Sequence, residues 1–70
     1  MSENYKQQDR NRILAYLMEH PVCSVEEITE KSGAEPLRVY TLLFELNQEK
    51  KIRVLERTGW GAPAMVELCQ

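Results

Sequence analysis

Few side chains in these 70 residues could do covalent chemistry, and their spacing excludes most of it. His20 is the one histidine and stands immediately before Pro21, while the two cysteines, Cys23 and Cys69, lie far apart in the chain. A metal site needs imidazoles or thiols grouped at ligand spacing, which these residues do not offer. Glu26, Glu27 and Glu30 form a close set of carboxylates, but they fall where a helix start and its solvent face are expected. No nucleophile elbow, phosphate-binding glycine loop or base–nucleophile pair occurs. Neither an enzyme nor a metal or cofactor is expected. The chain does carry hydrogen-bonding and cationic groups in its second half: Arg38, Thr41 and Gln48, then Lys50, Lys51, Arg53 and Arg57, with Trp60 beyond them. A guanidinium can donate two parallel hydrogen bonds to a planar pair of acceptors such as guanine O6 and N7. Lysine and arginine can neutralise phosphates.

The overall charge is −2, and its distribution is more telling than its sum. Residues 20–49 set Lys31 and Arg38 against Glu26, Glu27, Glu30, Glu35, Glu45 and Glu49, leaving −4. Residues 50–70 set Lys50, Lys51, Arg53 and Arg57 against Glu56 and Glu67, leaving +2. The N-terminal stretch MSENYKQQDRNR is polar, with no apolar run of a secretory signal behind it. No segment approaches the roughly 20 apolar residues of a membrane span. Two cysteines do not make a disulfide framework, so reduced thiols in a cytoplasmic protein are expected. A chain of this length makes one domain and buries only about 60% of the surface it exposes when unfolded. Pockets for small ligands need about 300 Å³ or more, so any such site is expected between subunits.

Periodicity and punctuation place the elements that must position these groups. Ile13, Leu14, Leu17 and Met18 make one apolar stripe, with Tyr5 two turns upstream, predicting a first helix from about Tyr5 to Glu19. His20-Pro21 ends it, since proline disfavours helix in the residue before it. Ser24 followed by Glu27 is a capping box, with Cys23 and Ile28 placed as a hydrophobic staple. Gly33 stops this second helix after about eight residues by tolerating the left-handed conformation. Pro36 suits the first turn of a third helix, in which Val39, Leu42, Leu43 and Leu46 mark a buried stripe running toward Lys50. IRVLE (residues 52–56) and MVELC (residues 65–69) alternate as short strands, with the glycines and proline of RTGWGAPA as the turn between them.

A short capped helix, a glycine turn, a longer helix and a terminal hairpin resemble the winged helix-turn-helix superfamily, over about Arg10 to Leu68. Ile28 takes the apolar place five residues before the turn glycine Gly33. Val39, Leu43 and Leu46 take the buried places of the next helix, and EKKIRVLER resembles the passage into the first strand of the wing. The resemblance implies an α+β, mainly α fold: three helices followed by a two-stranded β-hairpin wing, one domain over residues 1–70. Residues 1–9 would be an N-terminal extension and residues 57–64 the wing loop. Thr29, Ser32 and Glu35 depart from the pattern, standing where a small, an apolar and a small polar residue are usual.

The function the resemblance implies is binding of double-stranded DNA by a small transcriptional regulator or accessory factor. The third helix would lie in the major groove, with Leu37, Arg38, Thr41, Glu45 and Gln48 outward and Arg38 reading guanine. Lys50, Lys51, Arg53 and Arg57, with Arg10 and Arg12, would neutralise phosphates. Trp60, between Gly59 and Gly61, would either lie against a sugar or in the minor groove, or fold back over the hairpin. A competing reading starts from Leu37, Tyr40 and Phe44, which recur at helical spacing beside the buried stripe. They imply either a core closed by the first helix or a surface awaiting a partner. A homodimer would bury such a patch and place two wings on one face, and an adaptor would use it without DNA.

Overall fold

The computed structural model describes residues 2–69, with side chains from Tyr5 onward. Its elements run α1 (Ser2–Glu19), β1 (Val22–Ser24), α2 (Val25–Ser32), α3 (Pro36–Gln48), β2 (Ile52–Arg57) and β3 (Pro63–Leu68). The fold is α+β and mainly helical: three helices with a three-stranded antiparallel sheet in the order β1-β3-β2. The expected two-stranded hairpin therefore gains a third strand. Val22, Cys23 and Ser24 pair with Glu67, Val66 and Met65 along the free edge of β3. Three residues are too few to show an alternating pattern, so this strand had no periodic signal.

Ser24 serves two elements at once. Its extended backbone (φ −82°, ψ 155°) ends the strand and forms the N-cap of α2, where its hydroxyl accepts the Glu27 N–H at 3.1 Å. The reciprocal half of the expected capping box is not made. The Glu27 carboxylate accepts from the Tyr16 hydroxyl instead, which ties α2 to α1. Cys23 and Ile28 are both buried, as a hydrophobic staple requires.

Gly33 takes the left-handed conformation (φ 72°, ψ 10°) and donates its N–H to Thr29 O at 3.2 Å, closing α2. Ser32, one of the departures from the resembled pattern, is buried. Its hydroxyl donates to Thr29 O at 3.4 Å and accepts the Ala34 N–H at 3.3 Å, so burial leaves it satisfied. Pro36 then opens α3 from an N-cap, Glu35, whose side chain makes no capping bond. The helix stops at Gln48, short of Lys50, which adopts φ 64° in the turn leading to β2.

The core is built from the α3 residues Val39, Leu42, Leu43 and Leu46, as the stripe predicts, against Ile28, Ile52 and Val66. From α1 the fully buried apolar residues are Ile13 and Leu17, with Leu14 half-buried. Met18, expected in the stripe, is 71% exposed, and Tyr5 is exposed too. The buried line of α1 runs instead through Asp9, Ile13 and Leu17 at intervals of four, and Met18 lies about 100° of helical rotation beyond Leu17, on the solvent side. No helix among the described residues is long and apolar enough to cross a membrane.

Candidate interaction face

Helix α3 presents three strips to its surroundings, because successive side chains turn by about 100° per residue. Leu37, Thr41, Phe44 and Gln48 form an exposed crest. Arg38 and Glu45 flank it toward α1, and Tyr40 and Asn47 flank it toward the hairpin. The two flanks are treated very differently.

Toward α1, charge is matched with charge. Arg38 Nη1 donates to Asp9 Oδ2 at 2.8 Å, and Asp9 is only 6% exposed. The bond to Asp9 raises the Arg38 guanidinium above its ordinary value. Arg12 stands 3.9 Å from the other Asp9 oxygen, and Lys6 pairs with Glu45 at 2.8 Å. Arg10 grips Glu49 with both terminal nitrogens, at 2.5 and 3.2 Å. That bidentate bond raises the Arg10 guanidinium and holds the Glu49 carboxyl below the usual glutamate range. Lys51 adds a looser contact to Glu49 at 3.8 Å.

Toward the hairpin, the surface is apolar and open. Strands β2 and β3 pair through Ile52↔Leu68, Arg53↔Glu67 and Val54↔Val66, with an irregularity at Leu55. Arg53 is held by its cross-strand neighbour Glu67 at 2.5 Å, which raises its guanidinium. The loop from Thr58 to Ala62 is tightly tied. Thr58 N–H donates to Ala62 O at 2.8 Å, and the Thr58 hydroxyl oxygen accepts the N–H groups of Trp60 (3.2 Å) and Ala62 (3.3 Å). Gly61, at φ 86°, accepts from Arg57 Nη1 at 3.0 Å. From this loop the Trp60 side chain projects 98% exposed, so the fold-back arrangement does not occur. Two grooves lie between the loop and the helices. One of about 690 Å³ is walled by α2, the start of α3 and the start of β3. The other, of about 400 Å³, lies between α3 and the hairpin. Tyr40 and Pro63 belong to both and divide them.

The residues expected at a DNA-reading surface are thus distributed as follows. Leu37, Thr41 and Gln48 are exposed on the crest, although the Thr41 hydroxyl donates to Leu37 O at 3.0 Å. Arg38, expected to point freely outward, is instead committed to a buried aspartate on α1. Lys51 and Arg53 face glutamates of this chain. Among the described residues, Lys50 and Arg57 make no ion pair with a carboxylate. Leu37, at 79% exposure, and Phe44, at 62%, belong to the surface rather than to a closed core, with Tyr40 partly exposed beside them. Asp9 was missed. Its signal was its place four residues before Ile13, on the buried line of α1.

The remaining reactive groups stand apart from this face. Burial pushes the Cys23 thiol up, which keeps it from the reactive thiolate form. His20 stacks on Tyr16 at a ring separation of 4.6 Å. No cluster of three or more His, Cys, Asp or Glu able to hold a metal occurs among the described residues. No protein-family model, no curated protein and no solved structure matches the chain.

Proposed function

We infer that this chain is a winged helix-turn-helix used as a protein-interaction module, binding through the crest of α3 and the hairpin beside it. The capped α2, the left-handed turn at Gly33, the longer α3 and the β2–β3 hairpin follow one another as in that superfamily, which supports the fold reading. The functional reading is carried by one observation. The crest of α3 holds Leu37 and Phe44 with no cation, while Lys6, Arg10 and Arg38 on its α1 side are held by this chain's own carboxylates. Duplex DNA carries about one negative charge per 1.7 Å, and affinity for it grows with each phosphate a free cation neutralises. An arginine already bonded to aspartate or glutamate contributes little to that. Exposed leucine and aromatic residues beside grooves with partly apolar walls suit a protein surface instead.

Duplex binding is the second reading, favoured by Trp60 with Lys50 and Arg57, which lie outside the ion pairs. A titration of labelled duplex DNA at two salt concentrations separates the two. The expected outcome is no salt-sensitive complex, even at low salt. A complex that weakens steeply with salt and is lost in Lys50→Ala with Arg57→Ala would overturn the interaction-module reading.

A further inference from the structure

We propose that the partner on this face is a second copy of the chain, each copy's Trp60 entering the other's groove between α2, α3 and the start of β3. This rests on reading the α3–hairpin face as protein-binding. Trp60 is held out by a loop whose backbone is already fixed by the Thr58 hydroxyl and by Arg57. Burying its indole therefore orders little that is not ordered already. The receiving groove, about 690 Å³, has apolar walls from Val25, Pro36, Tyr40, Pro63 and Met65. Glu26 and Glu30 on its lining can accept from the indole N–H, which needs an acceptor once buried. The neighbouring groove offers no carboxylate: its polar lining side chains are Arg57, which can only donate, Asn47, whose amide oxygen is an uncharged acceptor, and the Tyr40 hydroxyl shared by both grooves.

Symmetry and charge agree with this choice. Trp60 lines neither groove; Arg57 with Gly61 and Ala62 of its loop lines the smaller one, and Thr58 the larger. A twofold axis running along the divide exchanges the two sides. It sets Arg57 of each copy, with the loop that carries Trp60, against the partner's larger groove, where Glu26 and Glu30 lie. The area also fits. At roughly 150–250 Å² per large side chain, the exposed parts of Leu37, Tyr40, Phe44 and Trp60 come to about 400–700 Å². A standard interface buries about 800 Å² per partner, of which about 56–65% is apolar.

Trp60 is the one tryptophan of the chain, so its fluorescence reports the contact directly. Sedimentation velocity and tryptophan emission are followed over one concentration series, from low micromolar to near-millimolar. The expected result is a dimer whose formation parallels a blue shift of the emission. Trp60→Ala should weaken that dimer at least about tenfold. Arg57→Glu should weaken it as well, and adding Glu30→Arg to the same chain should restore it. A monomer throughout the series overturns self-pairing and leaves the face to a different protein. A dimer whose emission remains that of water-exposed indole overturns the Trp60 contact. Salt-sensitive duplex binding, by contrast, strikes the broader reading.

Discussion

The two flanks of α3 carry similar numbers of long side chains and use them in opposite ways. On the α1 flank, Arg38, Glu45 and the nearby Glu49 are each matched by a charge on the first helix, and one of those charges, Asp9, is buried. On the hairpin flank, Tyr40, joined by Phe44 from the crest, faces grooves that this chain leaves unfilled, and Trp60 extends from the hairpin loop without cover. The first flank is a joint of the fold; the second is a surface. Ion pairs between exposed side chains add little to stability individually, about 0–1 kcal/mol, so the α1 flank matters chiefly through its buried member. The same pairs also cancel the positive field that a nucleic acid would seek.

Substitutions on either side should break or sharpen this contrast. The largest effect belongs to neither flank but to the core stripe beneath both: Leu46→Ala should lower unfolding free energy by about 2–5 kcal/mol in denaturant titration. A smaller value would mean the two flanks, not the stripe, hold α3 in place. On the α1 flank, Asp9→Ala removes a buried, charge-bonded acceptor and should cost about 1–3 kcal/mol. A neutral result would reduce the joint to surface decoration. Gly33→Ala tests the turn that orients both flanks. No atom stands within 4 Å of the added methyl, so the cost is that of the left-handed backbone alone, about 1–2 kcal/mol.

The hairpin flank should behave in the opposite way. Phe44→Ala should leave the unfolding free energy of the monomer within about 0.5 kcal/mol, as for other surface positions. A loss comparable to that of Leu46→Ala would place Phe44 in the core and erase the distinction. The smallest effect is expected at Glu49. Arg10 holds its carboxyl below the ordinary range, so the group contributes stability above the unfolded-state pKa and loses it as pH falls through the folded-state value. Glu49→Gln should therefore be slightly less stable than the wild type at neutral pH and indistinguishable from it in acid. A gap that widens on acidification would contradict the assigned sign.

What was legible beforehand is concentrated in short-range features. Ser24 as a cap, Gly33 as a left-handed stop, Pro36 as an opener and the Val39–Leu42–Leu43–Leu46 stripe all act within a few residues of themselves. The hairpin was legible for the same reason, since its strands and turn are contiguous. The strand at Val22–Ser24 was not, because its reason for existing is the open edge of β3, more than 40 positions further on. Arg38 shows the same limit more sharply. By helical phase it belongs to the outer half of α3, and nothing near it predicts a carboxylate 29 positions upstream. Trp60 left two arrangements open, and the hydrogen-bonded loop around Thr58 decided between them.

The amino-acid order by itself determined where helices begin and end and which stripe of α3 turns inward, because capping, left-handed turns and apolar spacing are local properties of the backbone. Which charges are available, which aromatic residues stay uncovered and which strand closes the sheet were decided by the tertiary structure. Those outcomes depend on what other elements bring to the same place: a Coulombic partner or a groove is a meeting of distant residues, and its energy exists only once they are packed together.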